Sequence, residues 1–420
     1  MKKTLHLFFI SLALLMLGGC ASTALQLETD ALKINIDGKG FITSIYDKNS
    51  STEYLAANQA APLLTISVDS TYQKPTAIEW NESEKTLTIN FTDQYSAEVA
   101  VKNTDKYITL ELQKVDLPQG AHLDLALWGS YPTTINQIVG ECVGVVRDST
   151  FAFGIRALNP KTIGGYPTLE NDIDPMYDIF ATNSIVDVED SVKVLYRGHT
   201  AEHTEYGSKL HAYTRNRDKD RIIEQWGHTH YFAPAYDDGG AIGSAIAIFG
   251  SPAAQALDYL EAIVVGEDMP YPQISGEWNK KSPDAAQAYI IYPFNENNID
   301  QAIEFTKSTG LKYLYHGGPF STWGKFELNP SEFPSGIEGL RQCVETAAKD
   351  GIKLGVHTLS NFTTLSDEYV SPVPDQRLGK VGSSTITANI TVDQTEIQIA
   401  DPMFFNQMQN NSLHGVMIGE

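Results

Sequence analysis

Cysteine is almost absent from this chain: 420 residues carry three, Cys20, Cys142 and Cys343. None stands in a zinc or thiol-redox spacing. Cys142 and Cys343 lie far apart in differently patterned regions and make either one disulfide or two buried thiols. Cations are scarce as well. Thirty Lys and Arg face 52 Asp and Glu, a formal net charge of −22. The basic footprint of a nucleic-acid binder is therefore missing, and the net charge gives no electrostatic attraction for an anionic polymer. After the first twenty residues no apolar run is long enough to span a bilayer. No cofactor and no metal are expected. What is present is ample apolar material, 42% of the chain, and a length that suggests two or three domains.

The chain opens on Lys2 and Lys3, the short apolar run LHLFFISLALLML, and Leu17-Gly18-Gly19-Cys20. A run this short closed by small residues reads as a signal peptide over 1–19. The Leu-Gly-Gly-Cys ending resembles the lipobox of bacterial lipoproteins. That resemblance implies cleavage before Cys20 and lipidation, such as palmitate, on its thiol. It implies a chain tethered by acyl groups to the outer membrane of a Gram-negative envelope, on the periplasmic or cell-surface face. The alternative is ordinary secretory cleavage that leaves Cys20 free.

From Leu25 to about Gly250 the chain alternates apolar and polar residues, with turns at Asp37-Gly38 and Asp47-Lys48-Asn49 and short runs such as KTLTINF, AEVAVK and YITLELQ. This period of two predicts an antiparallel β-sandwich over 20–250. SPAAQALDYLEAIVVG predicts a helical linker within 251–275. The grammar then changes. AQAYIIYPF reads as a strand buried on both faces. NNIDQAIEFTKSTG reads as a helix with Asn298 as N-cap, Gln301 in the first turn, Lys307 in the last and Gly310 beyond the end. LKYLYHGG is a second strand. SGIEGLRQCVETAAKDG is a second helix, with a capping box from Ser335 to Glu338 and an apolar stripe of Ile337, Leu340, Val344 and Ala347. IKLGVHTLS is a third strand. Strands alternating with helices at these lengths mean parallel βαβ units.

The opening hairpin, with ITSIYDKNSSTEYL, resembles the N-terminal sandwich of the galactose-mutarotase-like type, which many polysaccharide-degrading enzymes carry ahead of a barrel. FPSGIEGLRQCVETAAKDGIKLGVHTL resembles the (β/α) barrel segment of α-galactosidase-like glycoside hydrolases. A closer resemblance, over about Gly276 to Leu378, is to a wider set of bacterial glycan-degrading proteins that share YLYHGGPF, TWGKFELN, GVHTLSNF and YVSPVPDQRL. The expected fold class is thus α/β plus all-β: an N-terminal antiparallel β-sandwich, then a partial (β/α) barrel over 276–378 with a β-rich C-terminal insertion over 379–420. An eight-fold barrel takes about 250 residues, more than remain, and the chain stops at VMIGE. It is therefore expected to be truncated, or else to end in a complete, smaller α/β domain.

Active sites of parallel barrels sit at the C-terminal ends of the strands. His316 and His357 both fall at such ends, and on adjacent strands about 4.8 Å apart they would flank one substrate group. Imidazole suits proton transfer because it titrates near neutral pH. The bland reading is a pair of hydrogen-bonded histidines in the barrel mouth. Tyr315 joins them as a candidate catalytic residue. Trp323 and Phe320, in the loop after His316, are candidate platforms for a sugar ring. Asn361 is a candidate hydrogen-bond donor, and Lys325 and Arg377 are candidate cations for a carboxylate or sulfate. Asp367, Glu368 and Asp375 read better as turn or cap residues. His203, His211, His228 and His230 form a further cluster, with metal binding the less favoured reading because residues two apart in a strand merely share a face.

These readings point to a membrane-tethered carbohydrate-active enzyme that degrades an extracellular polysaccharide by glycosidic cleavage in the manner of a glycoside hydrolase. Hydrolysis takes two carboxylates across the scissile bond, and no pair is visible at these strand ends. Elimination at a uronic acid, as in a polysaccharide lyase acting on an ulvan-like glycan, needs a base and charge-stabilising groups, which the visible residues meet better. A non-catalytic glycan-binding lipoprotein is the reading from outside enzymology. The partners expected are a polysaccharide or oligosaccharide and, through the lipid, a membrane.

Overall fold

The computed structural model describes residues 23–92, 94–167, 199–223, 231–233, 235–359, 363–379 and 383–402. Of these, residues up to 167, 199–216 and 240–263 form one compact unit, and the remainder form a second. Cys20, Asn361, His228 and His230 lie outside the described residues. The molecule is rich in sheet, and its sheets are open. Among the described residues no helix is long and apolar enough to cross a membrane.

The first unit is built from antiparallel strands. A four-stranded meander starts with Thr23–Glu28 and Leu32–Asp37. An eight-stranded sheet has Ala245–Pro252 between Phe151–Ala157 and Ile108–Asp116, and a six-stranded sheet has Leu123–Thr133 between Leu64–Val68 and Gly207–Arg215. The alternation seen in KTLTINF becomes real burial: in Thr86–Thr92, Leu87, Ile89 and Phe91 point inward and their neighbours do not. Side chains from all three sheets share one continuous core, each contributing about 1.5–3 kcal/mol when fully buried. The turn signals work through their side chains. Asp37 Oδ1 accepts from the backbone N–H of Lys39 and Phe41, both at 2.9 Å, and Asp47 Oδ1 accepts from that of Asn49 at 2.9 Å.

Strand Ala245–Pro252 departs from the alternation. It is buried on both faces, because Tyr259 of helix Ala256–Gly266 packs its ring 6.4 Å from that of Phe249. Phe249 lies over its cross-strand partner Gly154, where a Cβ would come within 2.3 Å of the ring. Where the sequence predicts only a linker, the helix therefore covers a sheet face.

The second unit contains a three-stranded parallel sheet, Ile290–Ile291, Tyr313–His316 and Lys353–Val356, with helices Ile299–Ser308 and Ile337–Lys349 between the strands. Its separate core is formed by Phe294, Ile303, Leu314, Phe333, Cys343, Ala347 and their neighbours. The first strand is shorter and more open than AQAYIIYPF suggests. Among the described residues it pairs on one side only, and Ile291 is 66% exposed. The second helix is rotated from the expected stripe: Gly339, Cys343 and Ala347 are buried, whereas Ile337 and Val344 are exposed. Gly339 is the cause, since a Cβ there would meet Glu296 Oε1 at 1.9 Å. Glu296 also replaces the expected capping box. It accepts from the Ser335 N–H at 2.8 Å and the Ser335 hydroxyl at 2.9 Å, while Glu338 pairs loosely with Arg341. The Thr/Ile-rich stretch after 379 forms one isolated bridge, Ile386 to Ile399, and no strand among its described residues. Ile386, Ile390, Val392 and Ile397 all stand exposed, so β propensity there has no surface to pack on. Cys142 and Cys343 are both free thiols, the first exposed and the second buried.

Candidate functional site

Side chains of a strand point alternately to its two faces, and this sorts the two strand-end histidines. In Tyr313–His316, Leu314 and His316 are buried and the two tyrosines are half-buried. His316 therefore turns into the core beside Leu314, and Tyr315 turns the other way. The structure does not bring the two imidazoles onto one group. His316 is 3% exposed, edge-on to the Phe294 ring at 5.3 Å and near that of Phe333 at 6.3 Å. Its Nδ1 accepts from the Gly318 N–H at 3.0 Å, which puts the ring proton on Nε2. Nε2 donates to Glu332 Oε2 at 2.8 Å, and Glu332 Oε1 accepts from the Asn329 amide at 3.2 Å. Both nitrogens of His316 are committed to holding the loop that follows it.

His357 differs. It comes one residue after the third strand, and its N–H donates to the His316 carbonyl at 2.9 Å, continuing the parallel ladder. Tyr315 pairs in register with Gly355, where a Cβ would lie 3.3 Å from the Tyr315 ring. Glycine thus leaves space for the phenol, whose Oη hydrogen-bonds His357 Nδ1. His357 is half-buried, and its Nε2 has no hydrogen-bond partner among the described residues. Burial, and to a lesser degree neighbouring Tyr289, pushes the Tyr315 phenol above its ordinary range, so it is protonated at neutral pH. When that hydroxyl donates to Nδ1, His357 carries its own proton on Nε2. When it accepts from Nδ1–H, Nε2 is left basic. The pair is a proton donor in one tautomer of His357 and a proton acceptor in the other, with the Tyr315 hydroxyl turned to match each.

An aromatic wall continues from this pair. Tyr289, 55% exposed, has its ring 5.4 Å from that of Tyr315. On the other side Trp323 is edge-on to His357 at 5.4 Å, Phe326 lies 6.0 Å from Trp323, and Phe320 lies 5.2 Å from Phe326. The loop presenting Trp323 is fixed by a second loop. The Trp323 N–H donates to Thr364 Oγ1 at 3.0 Å, and the Thr364 N–H donates to the Trp323 carbonyl at 2.8 Å. Asp367 accepts from the N–H groups of Lys325 and Tyr369, both at 2.9 Å. Burial pushes its carboxyl up, yet these bonds outweigh that and hold it below the usual carboxylate range. Gly324 is required here, with φ of +135° and Asp367 Oδ1 only 2.6 Å from where a Cβ would sit. Asp367 thus has the turn duty its sequence position suggests.

The two candidate cations each have a partner. Lys325 is ion-paired with Glu368. Arg377 grips Asp375 through Nε at 2.9 Å and a terminal nitrogen at 2.7 Å, with its guanidinium over the Tyr369 ring. Both cations are exposed. Sequence reasoning missed Glu332 and Tyr289. Glu332 has no signal beyond lying in the loop after His316, whereas Tyr289 stands immediately ahead of the first strand and was readable as a further ring beside Tyr315.

No family model matches the chain, and among curated proteins none matches it. Solved structures similar to it are glycoside hydrolases. One is an α-N-acetylgalactosaminidase from Bifidobacterium bifidum in complex with GalNAc, at 9% identity and a TM-score of 0.41, covering 80% of this chain and 59% of that one. Another is a family 31 sulfoquinovosidase from E. rectale with an aza-sugar inhibitor, at 9% identity and a TM-score of 0.36, covering 80% and 48%. A third is a family 36 α-galactosidase from Geobacillus stearothermophilus, at 9% identity and a TM-score of 0.35, covering 80% and 56%. The chain spans about half the length of these structures. At these identities and TM-scores the functional reading rests on the side chains described above.

Proposed function

We propose that the chain is a carbohydrate-active enzyme that cleaves a glycosidic bond in a uronic-acid-containing polysaccharide by elimination, with Tyr315 and His357 moving the proton. The observation that carries this reading is the Tyr315–His357 hydrogen bond at the ends of adjacent parallel strands, beside the Trp323 ring and with Nε2 unpartnered among the described residues. In the proposed step Nδ1–H of His357 bonds Tyr315 Oη, and Nε2 takes the proton α to the substrate carboxylate. The electron pair of that C–H bond forms a C=C bond as the bond to the glycosidic oxygen breaks. The leaving oxygen takes the hydroxyl proton of Tyr315, and the Nδ1 proton passes along the hydrogen bond to restore the phenol. Trp323 stacks a sugar ring, with Phe320 behind it, and Asn361 supplies a hydrogen bond. Lys325 and Arg377 receive the carboxylate by exchanging partners, which exposed ion pairs do readily. His316 acts from the opposite face as a positioning residue that holds the loop through Gly318. The three parallel strands are taken as part of a (β/α) barrel, and a lipid on Cys20 as the tether to the outer membrane.

Hydrolysis in the manner of a glycoside hydrolase is the second reading. It asks for two carboxylates across the bond, and Glu332 already has both oxygens engaged. A panel of neutral and uronic polysaccharides separates the readings. Ultraviolet absorbance of an unsaturated uronate, rising with new reducing ends, is the expected result. Reducing ends without that absorbance would mean hydrolysis. Retention on a glycan without cleavage would leave a binding protein.

A further inference from the structure

The first unit holds another histidine constellation, one that the strand-end site does not use. Strand Leu123–Thr133 pairs with Gly207–Arg215 through Gly129 opposite His211 and Tyr131 opposite Leu210, so Ser130 is an extra, bulged residue between them. A bulge re-aims its side chain. Gly129 makes this one feasible, with φ of +88° and the Leu210 carbonyl oxygen 2.7 Å from where a Cβ would sit. Ser130 Oγ lies 2.9 Å from His211 Nδ1. On the other side of the ring, His211 Nε2 lies 2.9 Å from Glu202 Oε1 and 2.9 Å from the His199 carbonyl oxygen. A carboxylate and a carbonyl only accept, so the ring proton of neutral His211 sits on Nε2. Nδ1 therefore presents a lone pair, and the Ser130 hydroxyl donates to it.

The electrostatics agree. Burial pushes the Glu202 carboxyl up, but hydrogen bonds from His211 and Lys209 outweigh it and hold the pKa at about 2, and Lys209 Nζ is 3.0 Å from Oε2. Glu202 is thus an anion aimed at the protonated edge of the imidazole. His211 is fully buried while Ser130 is only partly so, and the exposed ring of Tyr166 stands edge-on to His211 at 5.5 Å. Nucleophile, base and orienting anion in hydrogen-bonded sequence is the arrangement that activates a serine, and it is recognised by geometry rather than by chain order.

We propose that Ser130, His211 and Glu202 form an acyl-transfer site that hydrolyses small carboxylic esters, with Ser130 as nucleophile, His211 as its base and Glu202 as a positioning residue. Ser130 Oγ–H gives its proton to His211 Nδ1, and Oγ attacks the ester carbonyl carbon. The bond to the alcohol oxygen breaks, and that oxygen leaves with the proton from Nδ1. Water then gives a proton to Nδ1, attacks the acyl-serine and releases the carboxylic acid as the Ser130–acyl bond breaks and the proton returns to Oγ. The limited exposure of Ser130, with the Tyr166 ring standing edge-on to its base, suits a small acyl group such as acetyl.

The test treats the full chain with a fluorophosphonate and reads intact mass, followed by peptide mapping. One adduct on Ser130 is expected. The same protein is expected to release acetate from p-nitrophenyl acetate, and Ser130→Ala to lose both reactions. Glu202→Gln should lower the maximal inactivation rate by about 10-fold or more with the reagent's KI unchanged, and Glu202→Asp should recover part of it. Absence of an adduct on Ser130 in the unsubstituted chain would overturn the proposal whatever the variants do. An adduct forming equally fast in a folded Glu202→Gln variant would overturn the role of Glu202 and reduce the row to a structural strut.

Discussion

Three histidines, one in the first unit and two in the second, show how differently the two regions use the same side chain. His316 has both nitrogens satisfied by groups of its own fold and two phenylalanine rings around it. His211 is equally buried, yet one of its partners is a hydroxyl that can itself react. His357 is half-buried, with one nitrogen on a phenol and the other unpartnered among the described residues. The antiparallel sheets of the first unit fix their histidine from strands far apart in sequence, through a bulge. The parallel sheet fixes its pair through register alone, Tyr315 beside Gly355 and His357 just past it. Whether a histidine does chemistry follows from what its second nitrogen faces, and a strand-end position does not decide it.

The sharpest break between His357 and His316 should come from activity. His357→Ala is expected to lower polysaccharide cleavage by about 10²–10⁴-fold, the usual contribution of a positioned acid or base, with the unfolding transition little changed. His316 should answer instead to stability. Phe333→Ala, which opens a cavity beside it, should cost about 3–5 kcal/mol in denaturant unfolding. Glu332→Ala leaves the buried Nε2–H of His316 unpaired and should cost about 1–3 kcal/mol.

Glu202 sharpens the comparison through pH. Its folded pKa is held at about 2, below the usual carboxylate value near 4.3. A depressed folded pKa gives stability that is present above the unfolded value and lost as pH falls toward the folded one. The stability advantage of the unsubstituted chain over Glu202→Gln should therefore be full at pH 5 and shrink between about pH 4.3 and 2, read by urea unfolding at each pH. The smallest effect belongs to Arg377→Ala. The ion pair with Asp375 is solvent-exposed, and the melting temperature should not move measurably.

Much of the fold was legible because it is written in local pattern. Leu87, Ile89 and Phe91 alternate with polar residues, Asp37 and Asp47 mark turns, and Gly310 follows the end of its helix with φ of +73°. The strand-end position of Tyr315 and His357 was legible for the same reason. What stayed hidden depends on contacts distant in sequence. Glu296 caps Ser335 across 39 positions, and Ser130 meets His211 across 81; no local period records either. The direction of His316 was readable in principle, since Leu314 and His316 alternate with two tyrosines and an apolar partner two residues away marks the core side. The Thr/Ile pattern after 379 misled because propensity was present and a packing surface was not.

The most direct test of the central claim is the rate at which Tyr315→Phe forms unsaturated uronate from the best polysaccharide of the panel, compared with the unsubstituted chain at equal folded fraction. The phenylalanine keeps the ring against Gly355 and removes only the hydroxyl that meets His357. A fall of about 10²-fold or more is expected, with little change in KM. An unchanged rate would contradict that claim and place the chemistry elsewhere in the molecule.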